Sequence, residues 1–233
     1  GGRVGPPPAA MQEGTGLTEF ARKYPDRLFD VGIAEGHAVS MAGGMAKQGL
    51  VPVFAVYSSF LQRGYDQLLQ DVALDGLHVV LGVDRAGLVG ADGETHHGCF
   101  DALYLSQVPH MTVLCPASFA ELRQMLRRAV LELTGPVAVR YPRGGEGAYQ
   151  DCCGNETFTQ VRPGADCTIL TYGVLINEAL AAAELLHEAG VETRVVKLNA
   201  IAPLDGDAVL AALGSEKRLL VLEDCVGSGW GGG

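Results

Sequence analysis

Short apolar runs alternating with amphipathic helical stretches predict an α/β protein built on a doubly wound, mostly parallel sheet. Two further observations set the layout. The runs are rich in β-branched residues and lack polar alternation, as strands buried on both faces must. A stretch over 144–166, carrying Gly, Cys, Asn and Pro, separates a first group of runs from a second, smaller group. The expected organisation is a first domain over 10–145, a linker over 146–166 and a partial second α/β domain over 167–233.

In the first group, residues 28–32, 51–57, 78–84, 111–115 and 136–141 read as strands, and 35–48, 59–74 and 118–133 as helices. The first helix carries Ala38, Met41, Ala42 and Met45 on one apolar stripe, and the second carries Leu61, Tyr65, Leu68 and Val72. In the second group, 167–172, 192–198 and 218–222 read as strands, with an Ala/Leu-rich helix at 177–189.

Composition narrows the function classes. With 233 residues, 48% of them hydrophobic and 19% charged, the chain can bury a substantial core. A formal charge of −10 argues against a nucleic-acid or anionic-membrane partner. No apolar run approaches the ~18 residues of a membrane span, and no signal pattern opens the chain, so a cytoplasmic location is expected. The cysteines Cys99, Cys115, Cys152, Cys153, Cys167 and Cys225 form neither a CxxC pair nor a zinc-spaced cluster, so no metal site is expected from this chain alone.

Open α/β sheets bind ligands at the carboxyl ends of their strands, and the unusual polar residues gather there. Glu35 follows the first expected strand, Tyr57 to Phe60 the second, Asp84, Arg85 and the glycine-rich loop to Gly98 the third, and Arg140 to Arg143 the last. Glu35 falls in the first turn of a helix on its core side. It is either a helix-start acid favoured by the dipole or a carboxylate held for a ligand nitrogen. His96 and His97 add titratable groups to the loop, and Arg85 and Arg143 beside Tyr57 suit a phosphate or carboxylate clamp.

The stretches EGTGLTEF, FDVGIAEGHAVSMAGGMA, YSSFLQRGYDQ, DVAL, DRAGLVGADGETHHGCFD, the run around Pro116 to Met125, and VAVRYPRG carry a resemblance. In order and spacing they resemble the pyrimidine-binding domain of the 1-deoxy-D-xylulose-5-phosphate synthase family, transketolase-like enzymes dependent on thiamine diphosphate. The resemblance runs from Glu13 to about Leu222 and implies a transferase. It gives Glu35 a catalytic role, hydrogen-bonding N1′ of the cofactor's aminopyrimidine, and Phe60 the stacking position against that ring. Tyr57, Arg85, Arg143 and, more weakly, Arg63 match substrate-phosphate positions, while Asp92 and His96 match positions near the reacting carbons. The implied substrates are pyruvate and glyceraldehyde 3-phosphate, and the implied assembly is a homodimer of the full-length enzyme.

The chain departs from the family pattern in three places. Gly36 stands where the family has Gln. Residues 1–8, GGRVGPPP, replace an expected apolar strand, and the chain ends at Gly233 inside the second unit. The GDG-to-Asn motif that holds diphosphate and Mg2+ is not found, since Gly90 to Gly93 lacks its spacing and its Asn. The expectation is therefore the pyrimidine-binding half of a synthase site, inactive alone. The alternatives are one half of a split transketolase-like enzyme acting with a partner subunit, or a non-catalytic association fragment.

Overall fold

The computed structural model describes residues 14–152, 154, 156–214 and 218–226, together with the backbone of Val4–Gly5. Residues 10–13, Cys153 and the stretch 227–233, which the expected boundaries and cysteine inventory include, lie outside the described residues.

The first unit comprises β1 (Val4–Gly5), α1 (Thr18–Lys23), α2 (Glu35–Lys47), β2 (Val51–Tyr57), α3 (Ser58–Leu61), α4 (Tyr65–Gln67), β3 (Val80–Asp84), α5 (Asp101–Ser106), β4 (Thr112–Leu114), α6 (Phe119–Leu131) and β5 (Val137–Arg140). The second comprises β6 (Phe158–Arg162), β7 (Cys167–Tyr172), α7 (Ile176–Glu188), β8 (Thr193–Leu198), β9 (Ala200–Ala202), α8 (Gly206–Leu213) and β10 (Leu219–Leu222). Among the described residues the strands form a six-stranded sheet, ordered β1-β2-β3-β5-β4-β9, and a four-stranded sheet, ordered β10-β7-β8-β6. Pairing is parallel except where β9 meets β4 and β6 meets β8. The expected α/β class and mostly parallel sheet are what the structure has.

Three local expectations differ. Residues 28–32 join no ladder; the edge beside β2 is taken by β1, inside the stretch read as a replaced strand. The run instead turns at Gly32, whose N–H donates to Asp30 Oδ1 at 2.8 Å, and leaves Ile33 exposed. The helix expected over 59–74 follows one path with changing hydrogen bonding: α3, a 3-10 turn at Gln62–Gly64, α4 and a π-helical turn at Leu68–Ala73. Its stripe survives, with Leu61, Leu68 and Val72 fully buried. The buried face of α2 runs through Ala38, Val39, Ala42 and Gly43, leaving Met41 and Met45 half-buried. A Cβ on Gly43 would stand 2.6 Å from the carbonyl oxygen of Asp71, so the smallest residue is needed where α2 meets the π turn.

Within 146–166, β6 adds an antiparallel edge to the second sheet. β9 leaves that unit to pair with β4, and one apolar cluster runs from Phe54 and Leu81 through Cys115 to Tyr172, Leu198 and Ile201. The two sheets therefore share a core. Among the described residues no helix is long and apolar enough to cross a membrane.

Candidate active site

The rim at the carboxyl ends of β2, β3 and β5 brings all eight candidate residues into one connected group. Glu35 is the first residue of α2 and only 3% exposed; its Oε2 accepts from Arg63 Nη1 at 2.9 Å. A carboxylate out of water requires such a partner. The same guanidinium lies over the Phe60 ring, with Cζ 5.4 Å from the centroid. Phe60 stacks against Tyr57 at 5.7 Å with 22° between planes, and His96 meets its edge at 5.2 Å. Tyr57 is covered on its face by Arg85, 4.0 Å from the ring centroid.

Beyond Tyr57 the rim becomes an ion-pair chain. Arg85 contacts Asp84 Oδ2 through Nη1 at 2.6 Å and Asp92 Oδ2 through Nε at 3.3 Å. Arg143 Nε reaches the other oxygen of Asp92 at 2.8 Å. Asp92 thus bridges two guanidinium groups with one carboxylate. Burial pushes the Asp84 carboxyl above the usual range against the pull of Arg85. For Arg85, burial works against the charge, but Asp84 carries its pKa above the ordinary value. Burial likewise raises the Tyr57 phenol, opposed by Arg85.

The loop carrying Asp92 and His96 is closed by its own backbone, with Gly87 and Gly98 exchanging N–H to O bonds at 2.9 and 2.8 Å. A Cβ on Gly98 would lie 2.3 Å from Arg85 O and 2.4 Å from Ser58 Oγ, so only glycine allows this closure. His97 is turned into the loop, accepting from Val89 N through Nδ1 at 3.1 Å. Of the two histidines, His96 faces the rim and His97 pins the loop.

Sequence reading passed over the acids behind the arginines. Arg140 is buried and makes a bidentate pair with Asp101, at 2.9 and 3.1 Å, plus a 3.0 Å contact to Asp224 from the second unit. An arginine inside an apolar strand was the available signal, since a buried guanidinium needs a carboxylate from elsewhere in the chain. A cavity of about 500 Å³ opens beside Arg85 and Arg143, lined also by Ser118, Phe119, Glu146 and Val174. Among the described residues no group of three or more His, Cys, Asp or Glu could hold a metal ion.

Two family models match the chain. The first is the transketolase pyrimidine-binding domain, over residues 8–145, which covers every residue of the rim. The chain belongs to the transketolase family. The second model, the transketolase C-terminal domain, matches residues 157–232. This transketolase-family chain is 47% identical over 219 residues to 1-deoxy-D-xylulose-5-phosphate synthase of Clostridium kluyveri, which covers 93% of the chain and 35% of that protein. It is 48% identical over 223 residues to 1-deoxy-D-xylulose-5-phosphate synthase 1 of Geobacter metallireducens, covering 94% and 36%. The resemblance read from the motifs is therefore shown, and the chain spans about a third of the length of these relatives. Among solved structures, a split-gene transketolase described as an inactive β4 tetramer superposes with a TM-score of 0.83 at 26% identity, covering 95% of this chain and 73% of that one. A transketolase mutant from Pichia stipitis in complex with fructose 6-phosphate gives 0.85 at 17% identity, covering 97% and 37%, and supports the fold alone.

Proposed function

We propose that this chain supplies the pyrimidine-binding half of a thiamine-diphosphate site, in an enzyme that condenses pyruvate with glyceraldehyde 3-phosphate to 1-deoxy-D-xylulose 5-phosphate and CO2. The observation that carries the reading is that one guanidinium, that of Arg63, bridges the buried Glu35 carboxylate and the Phe60 ring, whose neighbours are Tyr57 and His96. A flat ring whose edge nitrogen accepts a hydrogen bond needs a carboxyl group there that shares its proton, and one apolar face beneath the ring. Arg63's planar cation already satisfies both groups, so the residues present fit the ring. When bound, thiamine diphosphate would supply the nucleophilic carbon and the electron sink for decarboxylation.

Glu35 would hold the ring nitrogen N1′ and the proton shared with it, and Phe60 would fix the ring's plane. His96, in edge contact with Phe60, would face the reacting carbons together with Asp92. Arg85 and Arg143, with Tyr57 and more weakly Arg63, would receive the triose phosphate. The diphosphate and Mg2+ would be held by another domain or subunit. We take 10–145 as the pyrimidine-binding domain, 146–166 as a linker whose β6 already pairs with β8, and 167–233 as the C-terminal unit, acting in a cytoplasmic homodimer of the whole enzyme.

A second reading, one half of a split enzyme, is favoured by the split-gene transketolase, 73% of whose chain is covered. Titration calorimetry with Mg2+ and thiamine diphosphate tests the proposal. The expected result is little binding by this chain alone and restored binding when the diphosphate-binding domain of a relative is added in trans. Tight binding by the isolated chain would mean that the diphosphate is held here.

A further inference from the structure

We propose that Arg63 is a positioning residue that stands in for the pyrimidine ring, so that cofactor capture at this seat is an exchange of one flat group for another, the guanidinium donating to Glu35 where the ring nitrogen would share the carboxyl's proton. The inference rests on the reading of Glu35 and Phe60 as the pyrimidine seat. Arg63 makes the two contacts that reading reserves for the ring: its Nη1 donates to Glu35 Oε2 at 2.9 Å, and its guanidinium lies over Phe60 at 5.4 Å. One carboxylate edge and one ring face do not accommodate two planar occupants, so the ring enters only as Arg63 leaves.

The surroundings allow that exchange. The Arg63 side chain is 56% exposed while Glu35's is 4%, so the guanidinium sits at the mouth and can swing into water. Its backbone, the 3-10 turn Gln62–Gly64, is packed on the start of α2. A Cβ on Gly36 would stand 3.5 Å from Arg63 O, and one on Gly64 3.0 Å from Val39 Cγ2. The exchange asks only the side chain to move. Arg63 therefore does two things in the empty seat: it gives the buried Glu35 carboxylate a partner and a direction, and it sets a competitive threshold for any ring that enters.

The test uses the 233-residue chain and a bare probe, 4-amino-2,5-dimethylpyrimidine, titrated by ligand-observed NMR. Arg63→Ala and Arg63→Gln should bind the probe about fivefold more tightly than the unsubstituted chain, the weight of an ion pair with one exposed partner, and Arg63→Lys should fall between. Free guanidinium should compete with the probe in Arg63→Ala and leave the unsubstituted chain nearly unaffected. Circular dichroism establishes that each variant is folded, and Arg63→Gln retains a flat side chain if the alanine variant does not fold. Equal or weaker binding by both folded variants, or no binding by any form, overturns the exchange. The underlying seat is tested separately: probe binding that survives Glu35→Gln and Phe60→Ala unchanged would remove the pyrimidine reading itself, whatever Arg63 does.

Discussion

Lys197 Nζ lies 3.0 Å from Glu121 Oε1 with both side chains wholly out of solvent, and the pair joins β8 of the second sheet to α6 of the first. Glu121 also accepts from Ala117 N at 2.8 Å and from the Tyr149 hydroxyl at 3.3 Å, so its carboxylate is fully engaged. Removing the cation leaves a buried charge without its counterion. Lys197→Met should therefore lower unfolding free energy by about 3 kcal/mol, with part regained on adding Glu121→Gln. Urea denaturation of the single and double variants measures this; additive losses would show that the pair is not coupled.

Cys115 predicts an alkaline limit. Burial raises its pKa from 9.0 to about 12, with Arg140 pulling the other way. The folded chain thus holds its proton more tightly than the unfolded chain, so the stabilisation is whole below pH 9 and lost as pH rises from 9 toward 12. Relative to Cys115→Ala, the unsubstituted chain should lose on the order of 4 kcal/mol across that window, while the difference stays flat at lower pH. Thermal midpoints from pH 7 to 11 would show the slope, and parallel curves would refute it.

The two arginines of the rim should separate by their surroundings. Arg85 holds Asp84, which is only 6% exposed, whereas Arg143 is 43% exposed at its side chain and holds only Asp92 among the ion pairs observed. In a complete enzyme carrying this segment, either alanine substitution should raise KM for glyceraldehyde 3-phosphate about tenfold or more, the weight of a lost charge-assisted contact, and leave KM for pyruvate little changed. Only Arg85→Ala should also lower the melting temperature. Matched effects on both substrates would assign the arginines a structural role.

Much of this arrangement could be read from sequence because it depends on short-range pattern. Val51–Tyr57 is an unbroken apolar run and Cys167–Tyr172 an apolar run interrupted by Thr168 and Thr171, and both strands form at the expected bounds. The rim positions of Tyr57, Arg85 and Arg143 were legible for the same reason, since residues just after such runs fall at one edge of a parallel sheet, whereas Glu35 lies there although 28–32 forms no strand. What escaped depends on distant partners. Residues 28–32 have the composition of a strand, but β1 occupies the neighbouring edge of β2. The Arg63–Glu35 pair spans 28 positions and Arg140–Asp224 spans 84, and no local period encodes either. The stripe of Leu61, Leu68 and Val72 foretold which face is buried without revealing that the backbone tightens at Gly64 and widens beyond Gln67.

Glu35→Ala should separate chemistry from folding. The side chain's one contact among the described hydrogen bonds is to an exposed arginine, and its removal takes away a proton-holding group without opening the core. Turnover of a complete enzyme should fall to background while the melting temperature changes little. Retained decarboxylation would end the assignment of Glu35 as the catalytic acid.

Asp92 gives a prediction with opposite signs on binding and turnover. Its two oxygens neutralise Arg85 and Arg143 at 3.3 and 2.8 Å, occupying the place proposed for a substrate phosphate. Any phosphate must compete with it, while catalysis on the proposed reading needs Asp92 beside the reacting carbons. Asp92→Ala should therefore tighten binding of inorganic phosphate to this chain by about fivefold, since it releases Arg143 and one of the two carboxylates on Arg85, which keeps Asp84. It should also lower turnover of the complete enzyme. Calorimetric titration with phosphate, paired with a steady-state assay, reads both. Weaker phosphate binding in the variant would mean that Asp92 orients the arginines and does not block them.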